Sequence, residues 1–432
     1  MSKTINTDIC VIGAGSGGLS VSAGAAQMGA DTVLLEKGKM GGDCLNYGCV
    51  PSKALLAAGH AVQHIRDAAR FGVDAGAPKV DAKRVFEHVH GAIGAIAPND
   101  SVERFTGLGV QVIEDEGKFV DANTVEAGDT RITARRFVIA TGSSAFVPPI
   151  PGLSDVPFYT NENVFYADEL PKHLIVIGGG PIGIELAQAH RQLGCDVTVL
   201  EVFKVMAKDD QELVEVVRAQ LDAEGLVIRE GVKISRIEKS GDGIAVVLES
   251  DEGEETLDGS HLLVATGRRP NVNGLNLEAA NVTYSPKGIE VDKRLRTSNK
   301  KIFAIGDVAG GLQFTHVAGY HAGIVIKNAL FRLPAKADHS SVPWVTYTSP
   351  ELAQVGLTEA QAKEQYGDDI RVLRWPFHEN DRAQAEGETH GMVKAITTKK
   401  GVILGCGIVG PHAGELIHTW VLAMSQKIKI GG

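Results

Sequence analysis

The feature that most limits the fold is a repeat. Asp8-Ile9-Cys10-Val11-Ile12 is a short apolar run that enters Gly13-Ala14-Gly15-Ser16-Gly17-Gly18. Small residues suited to a helix follow to about Met28, and then a second run, Thr32-Val33-Leu34-Leu35, ends at Glu36. The same order returns after 165 residues: Ile175-Val176-Ile177, then Gly178-Gly179-Gly180-Pro181-Ile182-Gly183, then a strand that ends at Glu201. Gly13 maps onto Gly178, Gly15 onto Gly180, Gly18 onto Gly183 and Glu36 onto Glu201. Glycines between a strand and a helix let the backbone approach a pyrophosphate at the helix N-terminus. An acid closing the next strand accepts from ribose hydroxyls. A bare glycine motif is weak evidence, but one framed by strand, helix and acid is strong. Two dinucleotides are therefore expected, the alternative being one duplicated scaffold with a dead half.

The second feature is Gly41-Gly42-Asp43-Cys44-Leu45-Asn46-Tyr47-Gly48-Cys49-Val50-Pro51-Ser52-Lys53. On an ideal helix, residues five apart lie about 140° apart around the axis and about 7.5 Å along it. That rise exceeds the roughly 7 Å Cα separation of an unstrained disulfide. Cys44 and Cys49 can pair only across a distorted turn, and Gly48 permits the distortion. This suits a redox pair better than a structural staple. No second closely spaced Cys/His pair exists to complete a zinc tetrad, so no metal site is expected.

This stretch resembles the active-site signature of the FAD-dependent pyridine nucleotide–disulfide oxidoreductases, and within them dihydrolipoamide dehydrogenase and mercuric reductase. Ser52 before Lys53 matches those two better than glutathione reductase. The resemblance implies an α/β fold: two Rossmann-like FAD- and NAD-binding domains, glutathione-reductase-like, plus a C-terminal α+β dimerisation domain. The expected division is residues 1–147 and 271–341 for FAD, 148–270 for NAD(P), and 342–432 for the dimer interface. Pro148-Pro149-Ile150-Pro151-Gly152 reads as the first linker.

The implied chemistry is a relay from NAD(P)H through FAD to a Cys44–Cys49 disulfide. Cys44 would exchange with substrate, Cys49 would be the thiolate against the flavin, and Lys53 and Glu185 would form an ion pair beside it. The onset of a helix would help lower the pKa of Cys49. FAD is assigned to Gly13, Gly15, Gly18, Glu36, Lys37, Gly41, Gly42, Asp43 and Lys53. Further FAD contacts fall on Gly117, on the turn Thr141-Gly142-Ser143, on Asp307 after Lys301-Ile302-Phe303-Ala304-Ile305-Gly306, and on Gln313-Phe314-Thr315-His316. His316 reads as a helix cap or flavin neighbour. NAD is assigned to Gly178, Gly180, Pro181, Ile182, Gly183, Glu185, Glu201 and Gly267, the last closing Leu262-Leu263-Val264-Ala265-Thr266. Because a carboxylate repels a 2′-phosphate, Glu201 favours NAD(H) over NADP(H).

The rest of the chain is consistent with this. Helices are expected over 54–58, 62–69 and 84–96, and short strands over 110–133 with turns at Asp121-Ala122-Asn123 and Ala127-Gly128-Asp129. From Val342-Pro343-Trp344 onward, alternating runs at 345–349, 353–357, 370–375, 392–397 and 402–409 read as an antiparallel sheet, followed by a helix from Gly414 to Ser425. Net charge is −10 with no basic run, so neither nucleic acid nor an anionic membrane is an expected partner. The five cysteines do not make a secreted framework, and Cys10, Cys195 and Cys406 read as inert core residues. No apolar signal core or run of membrane-spanning length is visible. A cytoplasmic homodimer acting on a small-molecule or disulfide substrate is expected.

Two departures qualify the resemblance. Asp43 stands where the family usually has Thr; beside FAD phosphates a carboxylate is unfavourable unless it turns toward a cation. The family's His-Glu base segment, expected beyond Gly410-Pro411-His412-Ala413-Gly414-Glu415-Leu416, is not found before Gly432, and neither His412 nor His418 matches it. The expectation is either a longer natural chain or poor disulfide turnover with intact flavin reduction. The N-terminal metal-binding domain and C-terminal cysteine pair usual in mercuric reductase are also not found. Rival readings are a mercuric-reductase-like metal-ion reductase, an NADH oxidase or diaphorase, and a flavin redox sensor.

Overall fold

A computed structural model describes residues 3–250 and 253–432. The chain divides into two compact units. One holds Met1–Pro51, Val89–Phe146 and Arg268–Asp338; the other holds Ser52–His88, Val147–Gly267 and His339–Gly432.

The first unit is built on a seven-stranded sheet. Strand β1 (Lys3–Ile12) leads through the first glycine turn into helix α1 (Ser16–Gln27) and strand β2 (Thr32–Leu35). Both β2 and the strand Thr130–Ile139 lie parallel to β1 on its two sides. The carboxyl half of β1, Ile9 to Ile12, is buried on both faces, hence the unbroken apolar run. Its amino half, from Lys3, alternates and is largely exposed, so the strand begins earlier than the apolar run suggests. Strand Thr130–Ile139 has two partners on its other edge. Its first residues pair antiparallel with Thr124–Ala127, and its last, Phe137 to Ile139, pair parallel with Ile302–Ala304. Phe119, Phe137, Ile132 and Ile302 are fully buried in the core on one face. Helices α1 and Thr315–Ala329 cover the other, around Leu19, Val21, Phe303 and Val325.

Helix α2 (Gly42–Asn46) and helix α3 (Cys49–Asp67) follow β2. The expected helices at 54–58 and 62–69 are one helix. Gly59 does not break it but fits it to its neighbour, since a Cβ there would press on Gln192 Oε1 at 2.9 Å.

The second unit contains a four-stranded parallel sheet in the order Val227–Glu230, Asp196–Glu201, His173–Ile177, His261–Val264. Its second glycine turn opens helix Pro181–Leu193. A three-stranded antiparallel sheet spans Lys233–Ser240, Gly243–Ser250 and Gly253–Gly259; the sequence reading assigned nothing there. A five-stranded antiparallel sheet runs in the order Pro343–Thr346, Glu351–Gly356, Ile403–Gly410, Met392–Thr398, Ile370–Pro376. Helix Ala413–Ser425 packs on this sheet through Ala413 and Ile417, which are fully buried. Helix Glu359–Tyr366, unforeseen in sequence, carries a full capping box between Thr358 and Gln361. No described helix is long and apolar enough to cross a membrane.

Candidate functional site

The two glycine turns are built alike to the level of single hydrogen bonds. Gly13 has φ +103° and Gly178 φ +111°. A Cβ at either would collide with the carbonyl of the strand on the far side, Ala140 or Ala265. Glu36 accepts from Ala14 N–H at 2.6 Å and from Gly38 N–H at 2.7 Å. Glu201 accepts from Gly179 N–H at 2.7 Å and from Phe203 N–H at 2.9 Å. Gly41 N–H donates to Ala14 O at 3.0 Å, and Met206 N–H donates to Gly179 O at 2.8 Å. All these pairs are related by the same 165-residue offset as the glycines. The two helices start at Gly15 and Gly180 in extended backbone with no side-chain cap. Their first N–H groups are thus left for an anion, and the dipole favours one. Each carboxylate oxygen has a lone pair beyond its backbone bond for a ribose hydroxyl. On these grounds, Gly13, Gly15, Gly18 and Glu36 in the first unit fit one dinucleotide. Gly178, Gly180, Pro181, Ile182, Gly183 and Glu201 in the second fit another.

The first turn has a cover. Gly41 (φ +86°) and Gly42 (φ +59°) cross it before entering α2, and a Cβ on Gly42 would lie 2.6 Å from Gly15 Cα. Asn46 holds the crossing from below, donating to Met40 O at 3.0 Å and Gly42 O at 2.8 Å. The chain then breaks at Tyr47 (φ −141°) and resumes as α3 at Cys49. The two cysteines therefore sit on two helices rather than on one bent turn. Gly48 is required for space, not for a left-handed φ: a Cβ there would meet Asp43 Oδ2 at 2.9 Å and Asp43 O at 3.1 Å.

Both cysteines are free thiols in this structure, Cys49 exposed and Cys44 half-buried. Cys49 Sγ lies 3.3 Å from Thr315 Oγ1 at the start of helix Thr315–Ala329. The Cys44 thiol is pushed far up, first by its hydrogen bond with Cys49, then by burial and by the charge on Cys49. Thr315 and Ser16 oppose that rise. The other three cysteines are buried; burial raises Cys10 and Cys406 strongly and Cys195 to about 12.

Asp43 turns toward a cation. Arg268 Nη2 lies 3.0 Å from Asp43 Oδ1. The same guanidinium donates from Nε to Ser143 Oγ at 2.8 Å and from Nη2 to Ser143 O at 2.7 Å. Ser143 Oγ in turn donates to Asp307 Oδ2 at 2.6 Å. Burial raises Asp307, the Ser143 hydrogen bond and Arg268 pull it down, and Asp43 raises it further; the net direction is up. Thr141 and Asn271 close the network: Thr141 Oγ1 donates to Asn271 O at 2.8 Å, and Asn271 Nδ2 donates to Thr141 O at 2.9 Å. The sequence reading did not single out Arg268 or Asn271. Two acids needing a cation, with Thr266-Gly267-Arg268-Arg269-Pro270-Asn271 directly after a strand-closing turn, were the available signal.

Other assigned residues lie near these groups to differing degrees. Gly117 sits in a buried strand against Leu35, and Phe314 stacks on His316 with ring centroids 5.4 Å apart. The Lys37 side chain is directed to Glu116 at 2.9 Å, and both are exposed. Gln313 lies half-buried just before helix Thr315–Ala329.

In the second unit, Lys53 Nζ lies 2.7 Å from Glu185 Oε2. Glu185 is buried; its other oxygen accepts from Tyr347 N–H at 2.8 Å, and the Lys53 ammonium stands over the Tyr347 ring at 4.5 Å. Lys53 lies four residues beyond Cys49 on α3, one helical turn along the same face. Tyr347 was not foreseen; burial raises its phenol, opposed by Lys53. Gly267 has φ +126° after strand His261–Val264. Among the described residues no cluster of three or more His, Cys, Asp or Glu could hold a metal ion.

Comparison with known proteins gives a consistent result. Residues 7–322 match the family model for pyridine nucleotide-disulphide oxidoreductases, and residues 342–431 match that family's dimerisation domain. A mercuric reductase of Lysinibacillus sphaericus is 37% identical over 98% of this chain and 78% of its own length. A dihydrolipoyl dehydrogenase of Geobacillus stearothermophilus is 36% identical over 97% of this chain and 90% of its own length. Among solved structures, the HOCl-induced flavoprotein disulfide reductase RclA of Escherichia coli superposes with a TM-score of 0.86 at 28% identity, covering 98% of this chain and 94% of that one.

Proposed function

Because the chain belongs to the pyridine nucleotide–disulphide oxidoreductase family and is a flavoprotein disulfide reductase using FAD and NAD(P)(H), we propose that it reduces a small disulfide of the lipoamide class at Cys44 and Cys49. The observation that carries this is the dithiol itself. It sits at a helix break beside the first cradle, with the two thiols unequal. FAD, when bound, supplies a two-electron carrier between NAD(P)H and a protein disulfide. The residues do the rest. Gly13, Gly15, Gly18, Glu36, Asp307 and the Thr141–Ser143 turn hold the dinucleotide. Arg268 keeps the Asp43 charge neutralised there. Cys49, at the onset of α3 and hydrogen-bonded to Thr315, carries the thiolate. As the Cys44 sulfur forms the mixed disulfide, its proton passes to the substrate sulfur it displaces, which leaves as the first thiol. The Cys49 thiolate attacks Cys44 to close the pair and expels the second substrate sulfur as a thiolate, which takes its proton from water. Lys53 and Glu185 position one another, and a buried carboxylate without that partner would be costly.

NADH is the proposed donor, because Glu201, which closes the strand after the second glycine turn, would meet the ribose there with a charge that repels a 2′-phosphate. The chain is proposed to act as a homodimer in the cytoplasm. Its 342–431 segment matches a dimerisation domain, and Leu373, Trp375, Leu416 and Leu422 expose apolar surface there. The relatives' names also admit mercuric ion, but the three remaining cysteines are buried and offer no second accessible thiol site among the described residues.

The test is an anaerobic titration of the FAD-loaded protein with NADH, alongside steady-state reduction of lipoamide, mercuric ion and a quinone. Cys44→Ser should keep a long-wavelength thiolate–flavin band and lose lipoamide reduction; Cys49→Ser should lose both. A Cys49→Ser protein with an unchanged spectrum would overturn the role assignment. Turnover of mercuric ion but not lipoamide would overturn the substrate class.

A further inference from the structure

A chain of net charge −10 with no basic run nevertheless assembles a basic cavity. In the first unit, a cavity of 180 Å³ is lined by Arg136, Arg294, Arg296, Lys300 and Arg332, with Phe303 and Leu333 as its apolar wall. The cations come from three separate segments: the strand Thr130–Ile139, the turn before Ile302–Ala304, and the end of helix Thr315–Ala329. Asn328 fastens two of these segments, donating to Arg294 O at 3.2 Å and Ala335 O at 2.9 Å while accepting from Ala335 N–H at 3.0 Å.

The charges are not balanced from within. Asp292 pairs its charge with Arg296, at 3.0 Å and 2.7 Å, while its other oxygen accepts from the backbone N–H groups of Arg294 and Arg296. Lys300 Nζ donates to a neutral acceptor, Thr297 O, at 3.0 Å, and Arg136 Nη1 to Arg135 O at 2.7 Å. The side chains of Arg294 and Arg332 have no carboxylate or hydrogen-bond partner among the described residues. Burial, then the charges on Arg135 and Arg332, lower the Arg136 guanidinium from its ordinary value, as expected of a cation crowded by others. A cluster of this kind is self-repelling until a counter-anion enters.

We propose that this cavity binds a small phosphorylated anion of about pyrophosphate size. Guanidinium forks match phosphate oxygens two at a time. The volume equals the liquid share of roughly six waters, which suits a phosphoryl group with a small attachment. The site is distinct from the first cradle. Arg136 is in register with Ile9, and Phe137 with Ile302, at the amino ends of the buried parallel strands, whereas Gly13 and Asp307 follow their carboxyl ends.

The experiment is calorimetric titration of inorganic pyrophosphate into FAD-loaded protein held in saturating NAD⁺, so that both dinucleotide cradles are filled. One site per chain is expected, weaker for inorganic phosphate and weakened by salt. Arg294→Gln combined with Arg332→Gln should lower the affinity by about tenfold or more while leaving FAD content and the circular dichroism spectrum unchanged. Absence of binding at about 10 mM pyrophosphate, beyond the millimolar range where specific affinity begins to register, would overturn the proposal. So would equal affinity in the double variant. Binding of duplex DNA or phosphatidic-acid vesicles, lost in the double variant while pyrophosphate fails to bind, would overturn the small-anion class.

Discussion

The two glycine cradles repeat each other bond for bond and then diverge at one position. Position 42 is a glycine that lies across Gly15; its counterpart 165 residues on is Ala207, and nothing would come within 4 Å of a Cβ on Gly180. After the shared hydrogen bond, from Gly41 in one and Met206 in the other, the first chain folds over its own turn and goes on to carry the cysteines. The second turns away, leaving Val202 and Phe203 exposed at 53% and 77%. One motif is thus covered by its own chain and the other is left open. The glycine fingerprint alone does not distinguish the two; the next few residues do.

The comparison can be broken at several points. The largest effect is expected where the open cradle is anchored. Lys394 is buried among Asp210, Glu212 and Glu359 at 2.7–2.8 Å, and Asp210 caps the helix that follows the Glu201 loop. Lys394→Met removes the cation paired with the buried Asp210, while Glu212 and Glu359 keep Arg374, and should cost about 3–5 kcal/mol. Because Trp344, Trp375 and Trp420 all lie in the second unit, tryptophan fluorescence in a denaturant titration should show the loss. Flavin release should move less. Coincident shifts of both signals would erase the distinction between the halves. Next in size, Gly42→Ala forces a Cβ into Gly15 and should weaken FAD retention by about 1–3 kcal/mol. Gly180→Ala should leave FAD untouched and change KM for NADH only slightly. Flavin content after dialysis and NADH kinetics decide this, and equal behaviour of the two variants would refute the cover. Third, Glu201→Arg should move the ratio of kcat/KM toward NADPH by about tenfold, roughly 1.4 kcal/mol. It should also raise KM for both nucleotides, because Gly179 and Phe203 lose their acceptor. A wild type that already uses NADPH equally well would sink the assignment.

The smallest effect is an acid response of opposite sign. Arg374 first, then Lys394, hold Glu212 down to about 2; Lys363 first, then Lys394, hold Glu359 down to about 2. Folded values below the ordinary glutamate value mean stability that is present above about pH 4.5 and lost as pH falls toward 2. Asp307 in the first unit is raised, chiefly by burial. Its contribution is present below the ordinary aspartate value and lost as pH rises through its folded value. Acid should therefore lower the tryptophan-reported transition more than the flavin-reported one, and a parallel decline would contradict it.

What could be read from sequence was what depends on local spacing: both glycine turns, their acids, the cysteine pair and the alternating strands after Trp344. Asp43 was legible as a problem, because a carboxylate there needs a cation, but the cation was not, since Arg268 arrives from a distant segment. Gly59 misled because glycine signals a helix break as readily as a close helix contact. Lys394 sits in an alternating apolar run that gives no sign of the three acids facing it. The basic cavity draws its arginines from three segments, so no window of sequence contains it.

The strand Thr130–Ile139 carries a consequence for synthesis. Its early residues find a partner at once in Thr124–Ala127, but Phe137 to Ile139 pair with Ile302–Ala304, which the ribosome delivers much later. At about 5–20 residues per second, the interval is roughly ten to thirty seconds. Throughout it the nascent chain presents an unpaired apolar edge, the kind of template on which chains misassemble. Asp307 emerges just behind the missing strand, so the first cradle also lacks its carboxylate until that edge can close. Nascent chains released before Ile302 should therefore depend on chaperones and take up no flavin.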